Sequence, residues 1–79
     1  MGYFFKMKKK DLFKLIGKNI QEQRKLKGYS QETFAELMKV SWSYVSKIEC
    51  GILNLSIGKI YDLANFLNVD ISILLKTYK

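Results

Sequence analysis

The sequence predicts an all-α fold: one compact bundle of five short helices, with a helix pair at its second and third members. Three observations carry that expectation. There is no proline and there are only five glycines in 79 residues, so long stretches are free of helix breakers. Apolar residues recur at three- and four-residue spacing instead of alternating. The chain is 48% hydrophobic and 14% aromatic, enough for a real core in a single small domain.

Residues 1–10, MGYFFKMKKK, read as a basic and aromatic arm, and residues 11–79 as the domain. Asp11 is a suitable N-cap for a first helix in which Leu12, Leu15, Ile16 and Ile20 repeat. That helix should run to about Lys27 and stop at Gly28. Ser30 caps a second helix with a Phe34, Leu37, Met38 stripe, and Ala35 permits close approach of a neighbour. Lys39-Val40-Ser41 is a very short connection, and Ser41 caps a third helix that ends at Gly51. Residues 52–55 form a loop. Ser56 caps a fourth helix in which Ile57, Ile60, Tyr61, Ala64 and Leu67 share one face, with Leu63 and Phe66 as a second apolar edge. Asp70 caps a fifth, with Ile71, Leu74, Leu75 and Tyr78 inward and Ile73 to the side.

Composition excludes several classes of function. With no histidine and one cysteine, zinc sites, Ser-His-Asp triads and Cys-His pairs each lack a necessary part. The seven carboxylates are scattered, so no enzyme, cofactor or metal is expected. The arm lacks the order of a secretory signal, and no window reaches the roughly 18 apolar residues of a membrane span. A cytoplasmic location is expected. The net charge of +7 lies entirely in residues 1–30, which carry nine Lys/Arg against two acids. That asymmetry favours a polyanionic partner.

The segment SWSYVSKIECG, residues 41–51, narrows the partner further. At 100° per residue, Val45 and Ile48 define the inward side of the third helix. Ser43 and Cys50 then point away from the core, Ser46 and Lys47 are exposed, and Trp42, Tyr44 and Glu49 lie on the flanks. Arg24 continues the inward row of the first helix, where an unpaired guanidinium is costly. Glu49 is its best available partner. A short polar helix that follows another across a three- or four-residue turn is the helix-turn-helix arrangement, whose second helix reads base edges.

The stretch YSQETFAELMKVSWSYVSKIECG resembles the helix-turn-helix core of the Cro/C1-type (Xre) DNA-binding family. The likeness extends from IGKNIQEQRKLKG to LNLSIGKIYDLANFLNVDISILL. Ser30-Gln31, Ala35, Val40-Ser41, Tyr44, Ile48-Glu49, Gly51 and the LNVD-x-x-x-LL ending carry it without gaps. It implies a lambda-repressor-like bundle and membership among prokaryotic and phage repressors, activators, restriction-modification controllers and antitoxins, with controllers the most similar. It also implies roles. Gln31 would bind a phosphate and brace its neighbours. Trp42, Ser43 and Lys47 would face bases, with Lys47 able to donate to guanine N7 and O6. Ser41, Tyr44 and Asn54 would reach phosphates, and Arg24 with Glu49 would form the family's buried ion pair. The sequence departs from the family at Lys39, where glycine is usual, and at Trp42, Cys50, Ile52 and Leu55. Trp42 either contacts thymine methyls and sugar or packs sideways on the second helix. The loop after the third helix has no cation, a lack for which Lys18, Lys25, Lys27 and the arm lysines can compensate.

The reading that follows is a sequence-specific regulator of double-stranded DNA, homodimeric on a two-fold site. Leu63, Phe66, Ile73 and Tyr78 are the candidate dimer patch, against the alternative that they fill the core. An antitoxin-like module, whose main partner is another protein, is the second reading. Stable membrane association is not expected, because three aromatics and four lysines give only marginal attachment.

Overall fold

The computed structural model describes residues 8–77. Within them lie five helices: α1 (Lys9–Leu26), α2 (Gln31–Met38), α3 (Trp42–Cys50), α4 (Ile57–Leu67) and α5 (Ile71–Leu75). Tyr78 and residues 1–7 of the arm lie outside the described residues. No described helix is long and apolar enough to cross a membrane.

Four of the five helices begin with a side-chain cap. The Ser30, Ser41 and Ser56 hydroxyls accept from the backbone N–H groups of Thr33, Tyr44 and Lys59 at 3.0, 3.0 and 3.1 Å. The Asp70 carboxylate accepts from Ser72 at 2.9 Å. Each bond satisfies one of the donors that a helix start leaves unpaired. α1 differs from expectation: Asp11 is not its cap but lies in its first turn, and Lys8 is the uncapped N-cap residue. Lysine is a good helix former, and a carboxylate in the first turn suits the positive end of the helix dipole. The helix therefore begins two residues ahead of Asp11.

Four helices end in the same way. Paired bonds of the Schellman type close α1 at Gly28, α2 at Lys39, α3 at Gly51 and α4 at Asn68. All four closing residues have positive φ, from 57° to 82°. Glycine adopts this conformation freely and asparagine tolerates it. Lys39, at φ 59° and ψ 44°, does so at a cost.

The core is a single cluster. Ile16 and Ile20 of α1, Phe34 and Ala35 of α2, Val45 and Ile48 of α3, Leu55, four residues of α4 and Leu74 make it up. Each fully buried large aliphatic or aromatic residue contributes about 1.5–3 kcal/mol of transfer free energy. α1 runs through the middle of the fold, packing on α3 and α5, while α2 packs on α3 and α4 on α5. Two glycines permit the α1–α3 approach. A Cβ on Gly17 would run into the carbonyls of Ile48 and Glu49, and one on Gly51 would overlap the backbone of Lys14.

The α4 face is rotated from the expected one. Ile60, Leu63, Ala64 and Leu67 are buried, whereas Ile57 and Tyr61 are exposed. Both sets satisfy helical spacing, and the buried one keeps the Tyr61 hydroxyl in water. One candidate dimer residue is thereby corrected: Leu63, only 1% exposed, is core and is not free to form an interface. Leu12 and Leu37 are likewise at the surface, although their spacing placed them inward.

Candidate nucleic-acid interface

The α2–turn–α3 unit is held rigid from both sides. Lys39 and Val40 donate to the Glu36 and Ala35 carbonyls at 3.1 and 3.0 Å, and Ser41 caps α3 one residue later. Val45 and Ile48 are buried, so the opposite side of α3 must face outward. Trp42, Ser43, Lys47 and Cys50 are exposed, and Tyr44 is half-buried. Ser46 is also half-buried, which removes it from the fully exposed set expected for this helix.

A polar network fixes the end of α3 to α1 and its start to α2. Arg24 and Glu49 form a bidentate pair, with Nε to Oε2 at 2.6 Å and Nη2 to Oε1 at 3.0 Å. Arg24 Nη1 also donates to the Tyr29 carbonyl at 2.7 Å, which ties the α1–α2 connection to the pair. Glu49 Oε1 accepts further from Gln21 at 3.3 Å and from Gln31 at 2.9 Å. The Gln31 carbonyl oxygen accepts in turn from the Trp42 indole N–H at 3.0 Å. The direction of this relay is chemically determined. Glu49 only accepts and the indole only donates, so the amide between them can be oriented in one way. Both side chains of the ion pair are almost wholly buried, and the surrounding donors offset the desolvation of two charges.

Of the two readings for Trp42, packing toward α2 describes its N–H, yet 55% of the residue remains exposed beside Ser43. Ser41 accepts from the backbone and keeps its hydroxyl hydrogen for another acceptor. Tyr44 lies under the Lys59 ammonium, 5.8 Å from the ring centroid, so the first turn of α4 stands beside α3. Asn54 is exposed in the loop after α3. Phe66 is exposed on α4 and Ile73 half-buried on α5, at a distance in sequence from these residues. No group of three His, Cys, Asp or Glu residues that could hold a metal occurs among the described residues.

Sequence reasoning missed Gln21 and Lys59 as partners, and gave the link from Trp42 to Gln31 only as sideways packing on the second helix. Gln21 precedes Arg24 by three positions on α1, a signal that was available. The link from Trp42 to Gln31 and the contact between Lys59 and Tyr44 join separate elements, and no local pattern announces them.

A polar helix face, locked to a preceding helix across a closed turn and presented by a bundle with a basic N-terminal third, defines a helix-turn-helix DNA-binding domain. The sequence model of the helix-turn-helix family HTH_3 matches residues 20–74, and the chain belongs to this family of DNA-binding transcription regulators, which are not enzymes. It is 43% identical over 54 residues to the uncharacterized HTH-type transcriptional regulator YazB of Bacillus subtilis (strain 168), covering 68% of this chain and 78% of YazB. Its fold is similar to the restriction-modification controller protein C.AhdI from Aeromonas hydrophila, with a TM-score of 0.70 and 41% identity over 81% of this chain and 96% of that one. It is also similar to SinR, the master regulator for biofilm formation, solved in complex with DNA: TM-score 0.68 and 39% identity, covering 77% of this chain and 98% of that one.

Proposed function

We propose that this chain is a sequence-specific regulator that binds a two-fold-symmetric DNA site as a homodimer, with α3 in the major groove. The observation that carries the reading is the outward face of α3, polar and exposed while its base is fixed by the relay from Arg24 through Glu49 and Gln31 to Trp42. A reading helix must hold its side chains in register with base edges, and that fixation supplies the register.

Ser43 and Lys47 contact bases, Lys47 as donor to guanine N7 and O6. The exposed edge of Trp42 lies against a thymine methyl or the adjoining sugar. Gln31 spends one amide hydrogen on Glu49 and offers the second to a phosphate. Ser41, Tyr44 and Asn54 complete the backbone contacts. Dimerisation uses the surface carrying Phe66 and Ile73, both accessible in the single chain. Tyr78 belongs to the same proposal from its sequence position alone.

The test is in vitro selection from random duplexes at about 0.15 M salt, where purely electrostatic binding is weakened. Enrichment of a two-fold motif with half-sites about 10 bp apart is the expected result. Binding that enriches no motif and disappears as salt rises would refute sequence-specific reading.

A further inference from the structure

α1 begins where the loop after α3 ends its turn. Between them is a cleft of about 510 Å³ lined by Lys9, Lys10, Phe13 and Lys14 on one side and by Gly51–Asn54 on the other. Its two walls approach closely at Gly51, where any side chain would collide with Lys14. Its chemistry is lopsided. The loop wall, Gly51-Ile52-Leu53-Asn54, has no charged residue, while the α1 wall carries three exposed lysines. Among the described residues none of the three has an ion-pair partner. Lys10 and Lys14, four residues apart, share one helix face, where like charges repel. A bound anion would relieve that repulsion.

The α3 C-terminal carbonyls do not need these lysines, because Gly51 and Ile52 N–H groups already close that helix end. The cleft is continuous with the proposed reading surface through Asn54. A duplex seated on α3 presents a phosphate strand along each wall of a groove about 12 Å wide. We infer that Lys9, Lys10 and Lys14 are DNA-phosphate contacts, supplying from the start of α1 the positive charge that the loop after α3 lacks. This assignment rests on the proposed function and adds residues that are distant from the helix-turn-helix in sequence.

The experiment compares full-length wild type with a Lys9→Gln/Lys10→Gln/Lys14→Gln variant on the duplex motif enriched by selection, across a salt series. Each lost phosphate contact lowers the slope of log affinity against log salt by about 0.9. The expected result is a slope smaller by about 1–3, affinity at about 0.15 M salt reduced on the order of tenfold, and an unchanged base preference. The matching triple Arg variant should restore the slope, since it keeps the charges. Circular dichroism identifies any loss of fold. A folded Gln variant with wild-type slope and affinity would overturn the inference while leaving sequence-specific binding intact. So would a variant whose only defect is weaker binding to phosphatidylserine-containing vesicles. Failure of the wild type to enrich any motif would instead remove the proposed function, and this assignment with it.

Discussion

Lys39 carries a backbone cost that its neighbours impose. It holds φ at 59°, where a Cβ crowds the following carbonyl at about 1–2 kcal/mol. The turn retains this conformation because the bonds from Lys39 and Val40 back to α2 close the helix. Lys39→Gly should stabilise the domain by about 1 kcal/mol, part of the relief being offset by the greater freedom of glycine in the unfolded chain. Thermal unfolding should then shift upward by roughly 4–8 °C. An unchanged or lower midpoint would mean that the strain is relieved in some other way. Asp70 offers a second test at a single side chain. The Ser72 backbone N–H, and then its side chain, hold the Asp70 carboxyl below its usual value of 3.8. A depressed folded-state pKa gives stability that is present above the unfolded value and lost as pH falls through the folded one. Asp70→Asn keeps a capping oxygen but removes the charge. Wild type should therefore exceed this variant in unfolding midpoint at pH 7, with the gap closing as pH falls below the ordinary value of 3.8 and through the lowered one. A gap independent of pH would contradict the assignment. The departure at Lys39 was legible in the sequence through the family resemblance, because glycine is usual at that position. The orientation of Trp42 was not, because it depends on Gln31 eleven residues away.

At the scale of elements, α1 is placed by contact with α3 more than by its own amphipathicity. Gly17 sits on the Ile48 and Glu49 carbonyls with no room for a methyl group. Gly17→Ala should push the helices apart and cost about 1–3 kcal/mol, read from the denaturant midpoint. It should also weaken DNA binding beyond any loss of folded protein, since the same contact positions Glu49 beneath Gln31. Stability equal to wild type would show that α1 moves without penalty. Helix existence and most caps were readable because Ser30, Ser41, Ser56 and Asp70 are local signals. The phase of α4 was not. Leu63 fits a 3.6-residue period with Ile60 and Leu67 and Tyr61 fits one with Ile57 and Ala64, and only the neighbouring helices decide which turns inward. For the same reason Leu37 looked like core but is exposed, while Phe34 and Ala35 of the same helix are buried.

For the molecule as a whole, the charge and the outward face of α3 lie on different parts of the chain, and folding brings them together. The basic excess of residues 1–30 enters through α1, while the uncharged loop after α3 stands opposite its first turn. Phe66 on α4 is one of several exposed large apolar residues, with Leu26, Ile52, Ile57 and Leu37. Phe66→Glu should shift sedimentation equilibrium toward monomer and weaken binding to a two-half-site duplex at least tenfold, with less effect on a single half-site. Unchanged self-association would move the dimer surface elsewhere. The helix-turn-helix was legible because both of its ends are marked by residue type: Ser30 and Ser41 start its helices and Gly51 ends the second. The arm lysines could be named as compensation for the uncharged loop, but not the cleft that Lys9, Lys10 and Lys14 line with residues 51–54, because no local pattern connects those segments. The central claim is that α3 reads bases, and one measurement addresses it directly: repeating the duplex selection with Lys47→Ala beside wild type. The variant should fold normally and enrich the same two-fold motif with preference relaxed at one base position in each half-site. An identical motif from both proteins, or uniform loss of binding with no change in preference, would show that Lys47 meets only the backbone and that the reading surface lies elsewhere.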